Sequence, residues 1–158
     1  MAYFEWADDM VIDNGQIDAE HRKLVDLVNE LHTATSQGNG QSVVADLLER
    51  LIADTAEHLR HEEMQMQQAE FPGLENHRIG HEHFVNDLRA LKAKLDAGSI
   101  TVAAQLSSVL RDWLSLHIRR NDKELRFFLE KKRRSGQRAQ EALTQDASRA
   151  PARACGIH

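Results

Sequence analysis

The sequence predicts an all-α fold, an antiparallel up-down-up-down four-helix bundle preceded by an extended N-terminal arm. Three observations carry this. Four long segments place apolar residues at three- and four-residue steps, the period of a helix with one buried face. Short Gly- or Pro-containing breaks separate them, and the 158 residues hold only two prolines and eight glycines. Long amphipathic helices on short connections pack as antiparallel neighbours around one core. No segment carries a strand pattern of comparable strength.

Residues 1–16 read as the arm, with Tyr3, Phe4, Trp6, Val11 and Ile12 available to pack across the bundle. Asn14-Gly15 marks a turn. The first helix is expected to start near Asp18 as N-cap and run to about Gln37, with Leu24, Leu27, Val28 and Leu31 inward. Gly38-Asn39-Gly40 ends it. The second runs from about Ser42 to Ala69, burying Val44, Leu47, Leu48, Leu51, Ile52, Thr55 and Leu59, and Phe71-Pro72-Gly73 breaks it. The third covers about 74–97, with Phe84, Leu88, Leu91 and Leu95 on one stripe, and Gly98 stops it. Ser99 or Thr101 caps the fourth, which carries Leu106, Val109, Leu110, Trp113, Leu114 and Leu116, then Leu125, Phe128 and Leu129. Residues 1–132 are thus one domain, and 133–158 a basic tail whose polar, Ala/Arg-rich composition reads as disordered.

Residues 131–158 hold seven Lys/Arg and two acids, +5, so with a net charge of −5 the remainder carries −5 − 5 = −10. An acidic body excludes a nucleic-acid grip over the folded domain. The basic tail suits an acidic or redox protein partner, or an anionic membrane surface, although cations ending a last helix also simply favour its dipole. No apolar run is long enough for a membrane span. The acidic start Met1–Asp9 lacks a secretory pattern, which points to the cytoplasm. The single cysteine, Cys155, forms no internal disulfide. Its place four residues from the end fits a prenylation box poorly, and it reads as a free thiol.

Metal-ligating residue types recur in helical register. His58 and Glu62, and His77 and His81, are i,i+4 pairs, about 40° apart on one helix face. His117 lies four after Trp113, and His21 three before Leu24, again on buried stripes. Each helix therefore offers at least one ligand to a common interior. Asp122 is five after His117, about 140° around a regular helix, and reaches the same point only through a local unwinding such as a π-bulge. Asn121 has the better regular geometry and is the poorer ligand for a charged metal pair, so spacing leaves the two open. A lone helical histidine is usually no ligand, and His32, His61, His83 and His158 are read so. Glu57 and Glu63 read as solvated helix residues.

The chain resembles the hemerythrin domains, closely the single-domain bacterial ones. The matching stretches are Trp6; Ile17-Asp18-Ala19-Glu20-His21-Arg22-Lys23-Leu24; His58-Leu59-Arg60-His61-Glu62-Glu63; His77-Arg78-Ile79-Gly80-His81; and Trp113-Leu114-Ser115-Leu116-His117-Ile118 followed by Asp122. The resemblance implies that Asp122 is a ligand, since the family spaces its last histidine and aspartate by five. It implies two iron ions bridged by oxo or hydroxo. His77, His81 and His117 would hold one, His21 and His58 the other, and Glu62 and Asp122 would bridge them. Five imidazoles, two bridging carboxylates and a shared oxygen leave one octahedral position open, at the two-histidine iron, which suits end-on binding of dioxygen. Leu24, Leu59, Trp113 and Ile118 would line a dry pocket for it, with Leu59 standing where the family often has phenylalanine and so widening that pocket.

The function so implied is reversible dioxygen binding for storage, delivery or buffering, by a protein that is not an enzyme. The alternatives are an oxygen, redox or nitric-oxide sensing module, a di-iron enzyme consuming peroxide or nitric oxide, and iron storage. Zinc, content with four ligands, has no use for seven.

Overall fold

The computed structural model describes residues 2–148, except for the side chain of Ile100. Five α-helices follow the arm: α1 Gln16–Ser36, α2 Gln41–Gln68, α3 Leu74–Asp96, α4 Ile100–Leu116 and α5 Asp122–Ser148. A π-helical turn, His117–Asn121, joins α4 to α5, and a 3-10 turn, Asp8–Met10, interrupts the arm. α1 packs on α2 and α4, and α3 on the same two, so the four legs close in chain order. No strand occurs among the described residues, and the fold is the expected four-helix bundle.

The stripes read from the sequence form the core. Leu24, Val28, Leu31, Leu48, Leu51, Leu88, Leu106, Leu110 and Leu114 are all buried. Leu47, Leu91 and Trp113 are half-buried. Val109 and Leu116 are 46% and 50% exposed, because the inward line of α4 passes through 106, 110, 114 and 117 and leaves them on its flanks.

Helix ends follow backbone chemistry. Gly38 and Gly98 end α1 and α3 at φ +69° and +91°, conformations that favour glycine. After α2 the left-handed position falls to Glu70, φ +58°, and the Phe71 N–H returns to the Met66 carbonyl at 2.9 Å. Gly73 is required for space: a Cβ there would lie 2.7 Å from the Phe71 ring, which packs edge-on against His77. Ser99 caps α4, accepting from the Val102 N–H at 3.4 Å.

The start of α1 differs from expectation. Gly15 is the N-cap, and the Asp13 carboxylate accepts from the N–H groups of Gly15, Ile17 and Asp18 at 2.8, 3.1 and 3.2 Å. Asp18 is not the cap. It sits inside the helix, buried, and accepts from the Ile12 and Asn14 N–H groups, each at 2.8 Å. The two aspartates exchange duties because the arm turns back over α1 and needs an anchor there.

The arm is bound along its length. Asn29 accepts from the Phe4 N–H at 2.7 Å and donates to its carbonyl at 2.9 Å. Tyr3 stacks on His32, and Arg22 lies over Trp6. Arg119 donates to Asp9 at 2.9 Å, Lys123 to the Asp9 carbonyl, and Arg126 to the Val11 carbonyl at 3.0 Å. Phe4, Met10 and Ile12 are buried; Tyr3, Trp6 and Val11 are half-buried. The arm straps α1 to the π turn beside it.

Residues 127–148 form a second unit, separate from 2–126. The disordered tail expected from 133 is corrected over 133–148, which are helical and exposed. That stretch lacks the apolar residues of a core, but its Arg, Gln, Glu, Ala and Leu are among the stronger helix formers. Low apolar content excludes burial and does not by itself exclude a helix. Cys155, His158 and the rest of the tail beyond Ser148 lie outside the described residues. No helix among those described is long and apolar enough to cross a membrane.

Asp18→Ala leaves two N–H groups of the arm without their acceptor, and is expected to cost about 2–3 kcal/mol. Asp13→Ala removes only a cap and should cost about 1 kcal/mol. Urea unfolding of both variants checks the order; an equal loss would contradict the anchoring role of Asp18.

Candidate metal centre

Seven side chains from all four legs converge in the bundle interior. Glu62, Asp122 and His21 are fully buried, and His58, His117, His81 and His77 are 2%, 2%, 5% and 8% exposed. The two i,i+4 pairs face inward as their spacing requires. Asp122 joins them through the π turn: its N–H bonds to the His117 carbonyl five residues back, which swings it onto the His117 face. Asn121 is exposed. The choice that spacing left open thus falls to Asp122.

Glu62 stands at the centre. Its Oε2 is 3.2 Å from His58 Nε2, 3.7 Å from His117 Nε2 and 3.8 Å from His21 Nε2, while Oε1 is 3.5 Å from His81 Nε2. Asp122 Oδ2 lies between His21 Nε2 at 3.0 Å and His117 Nε2 at 3.1 Å. Donor atoms fall into two sets, each within 4.8 Å: His21, His58, Glu62, His117 and Asp122, and then Glu62, His77 and His81. His117 therefore groups with His21 and His58, whereas the resemblance put it with His77 and His81. Its ring stands between, 5.3 Å from that of His81, 6.1 Å from His21 and 6.3 Å from His58.

Both carboxylates, both nitrogens of His21 and His117, and the Nε2 atoms of His58 and His81 are buried without a hydrogen bond. Buried polar atoms are almost always satisfied, and each exception needs a cause. Lone pairs pointing at one another across 3–4 Å are what a cation between them would satisfy. Five imidazoles and two carboxylates fit a divalent first-row transition metal.

Outer carboxylates set the rings. Glu20 Oε1 accepts from His58 Nδ1 at 3.1 Å, and its Oε2 meets His61 Nδ1 at 2.6 Å. Glu63 Oε1 accepts from His81 Nδ1 at 3.2 Å. A proton held on Nδ1 leaves the Nε2 lone pair for the centre. Glu63 is thus not simply a solvated residue, and His61, 28% exposed, belongs to the Glu20 network. Sequence reasoning missed Glu20 and Glu63. The signal was present: each adjoins a ligand in sequence, and metal-bound histidines require such partners.

Charge within the cluster is coupled. Burial alone would lower the His58 pKa, but the Glu20 and Glu62 carboxylates beside it outweigh this and push it up to about 9. Burial opposes protonation of His117 too, and Asp122 and Glu62 overcome it, raising it to about 10. Burial would raise Glu62, yet His117, His58 and His81 hold it well below the usual carboxylate range. Burial dominates at His77 and lowers it.

A mostly apolar cavity of about 10 Å³ lies one helical turn from the ligands, lined by Leu24, Val28, Leu51, Thr55, Phe84, Leu110, Trp113 and Leu114. Leu24 follows His21 by three, Thr55 precedes His58 by three, Phe84 follows His81 by three and Trp113 precedes His117 by four. Phe84 stacks on Trp113, and Trp113 on His117. Leu24 and Trp113, two of the residues named from the sequence for a pocket, line this cavity. Leu59 and Ile118 are buried outside this lining. Each follows a ligand by one residue, about 100° round the helix, and Leu59 looks instead onto an open groove toward α3. Its being smaller than phenylalanine does not widen the cavity.

A family model described as "Hemerythrin HHE cation binding domain" matches residues 14–126. The chain belongs to the hemerythrin family. The bacteriohemerythrin of Pseudomonas aeruginosa is 32% identical over 77% of this chain and 78% of its own. That of Methylococcus capsulatus is also 32% identical, over 78% of this chain and 94% of its own. A crystallised hemerythrin variant superposes with a TM-score of 0.73 at 28% identity, covering 82% of this chain and 98% of the other. A hemerythrin bundle with a buried His/Glu/Asp cluster suited to a metal centre is thus common ground between sequence and structure.

Glu62→Ala and His77→Ala are expected to lower bound metal and thermal stability together, each kcal/mol of lost linkage shifting Tm by about 2–4 °C. Metal analysis with calorimetry checks this; full metal content in either variant would contradict the ligand assignment. In the metal-free protein, the raised His58 and His117 contribute stability that is complete below their unfolded value of 6.5 and lost as pH rises through about 9 and about 10. The lowered Glu62 contributes above 4.5 and is lost toward acid. Melting of metal-free protein should therefore peak near neutral pH and decline on the alkaline side; a rise of Tm between pH 8 and 11 would refute the coupling.

Proposed function

We propose that this centre holds two iron ions and binds dioxygen reversibly, for storage, delivery or buffering, without catalytic turnover. The observation that carries the proposal is the pairing of an imidazole-rich, carboxylate-poor ligand set with an apolar cavity one turn away. Ferritin-like di-iron sites draw on more carboxylates; only two, Glu62 and Asp122, are buried in this cluster. A reduced iron pair would supply the electrons that dioxygen takes up on binding, and would recover them on release.

The residues are suited to keep that exchange reversible. The two carboxylates would offset the charge of the metals, and Glu62 belongs to both donor sets. Glu20 and Glu63 hold their rings in one tautomer, so the ligands need not rearrange. Leu24, Leu51, Leu110 and Leu114 exclude water, and the Thr55 hydroxyl is the one aliphatic-flanked polar group in the lining besides the Trp113 indole. No carboxylic acid lines the cavity to deliver a proton to a bound ligand. At about 10 Å³ it has room for roughly one water-sized molecule, which suits a diatomic gas and excludes an organic substrate.

One observation favours a second reading, sensing. Asp122, a ligand, is also the first residue of α5, which runs on to Ser148. A change at the metal acts at the root of that helix, and the basic run Lys131–Arg134 would offer its message to an acidic or redox partner.

The test is an optical spectrum of iron-loaded, reduced protein before air, after air and after deoxygenation. Charge-transfer bands that appear with air and vanish on deoxygenation are the expected result. Irreversible conversion to a diferric spectrum would defeat the carrier reading and leave the sensor in its place.

A further inference from the structure

The two sides of the centre differ in kind. Opposite the apolar cavity is an open cleft of about 380 Å³ between α3 and the π turn, lined by Asn76, His77, His81, His117, Asn121 and Glu124. Gly80 also borders it, and a Cβ added there would meet nothing within 4 Å. Trp113 borders both spaces, so its ring, stacked on His117, is the partition between them.

We propose that this cleft is the port through which an aquated divalent cation enters the centre, with Glu124, Asn76 and Asn121 as its outer-sphere acceptors. Six waters at about 30 Å³ each occupy roughly 180 Å³, which the cleft holds and the apolar cavity does not. Carboxylate and amide oxygens accept from the waters of such an ion without dehydrating it. Glu124 is the one carboxylate in the lining and no Lys or Arg shares it, so the local field draws cations inward. At the floor, His81 and His117 present buried nitrogens with no hydrogen-bond partner, and His77 lies beside them. Waters leave the ion and His117 gives up its proton to solvent as these nitrogens bind. The cleft reaches three of the candidate ligands, His77, His81 and His117. The groove along Leu59 reaches His81 alone, and its Arg60, Arg78 and Arg89 outnumber Glu63 and Glu82, so its lining is net positive. The port also gives Asn121 and Gly80 a use that ligation does not.

The inference rests on the metal centre and not on what the loaded centre binds. Its test is the rate at which metal-free protein takes up cobalt(II) alone, followed by stopped-flow absorbance, with the final metal content measured separately. Gly80→Leu fills the cleft from a helical, exposed position and should slow uptake by about tenfold or more. Glu124→Gln should slow it a few-fold and flatten its dependence on salt. Both should reach the parent's final content. Glu49→Gln, on a groove touching no ligand, should keep the parent's rate. Parent rates in both cleft variants at full content would overturn the port while leaving the centre intact. A parent protein that takes up no metal would overturn the centre and the port with it.

Discussion

Two fully buried carboxylates face five histidines across the bundle interior, and among the described residues neither carboxylate has a hydrogen-bond partner. Burying polar groups without partners costs several kcal/mol each, far more for charges. Without a cation, the cluster is held by sharing protons, which is why His58 and His117 bind theirs so tightly while Glu62 gives its proton up. The bundle tolerates this core because metal binding replaces those protons with a stronger, fixed charge. Folding and metal affinity are then one equilibrium, sensitive to pH because each ligand must shed a proton before it binds.

That demand explains local features which look unrelated. The π turn interrupts the fourth leg at His117–Asn121 because Asp122 must share a face with His117. The arm is tied to that interruption by Arg119, Lys123 and Arg126, where a regular helix would need no strap. Gly73 lets the Phe71 ring close over His77. Irregular backbone is concentrated where the ligands are, and the legs are regular elsewhere.

The convergence of these side chains was legible in the sequence because helical periodicity turns spacing directly into direction: i,i+4 pairs share a face whatever the neighbours do. The five-residue step from His117 even announced its own backbone distortion. What spacing could not resolve was any contact between helices. Glu20 on α1 reaches His58 on α2, and Glu63 on α2 reaches His81 on α3, through the lateral packing of the bundle. Asp18 looked like a helix cap because aspartate usually caps; its capture by the arm is a tertiary event. The place of His117 between the two donor sets, and the exclusion of Leu59 from the cavity, likewise depend on how far each leg is rotated. The helix over 133–148 escaped notice for a different reason: composition was read for burial, and helix propensity was not weighed beside it.

The division of the centre into an apolar side and a polar side follows from the same packing. On one side Leu24, Thr55, Phe84 and Trp113, one from each leg, lie a turn from the ligands, and with the leucines behind them close the space to about 10 Å³. On the other, α3 offers Gly73, Asn76 and Gly80 where bulk would be needed to close it, and the π turn supplies Asn121. Small and polar residues there keep one flank of the cluster within reach of solvent, while Trp113, pinned between Phe84 and His117, keeps that solvent from the cavity. On the reading proposed above, a site that must stay dry to hold a gas and wet to receive an ion would meet both demands by giving each its own face. The partition between them is a single indole, stacked on His117.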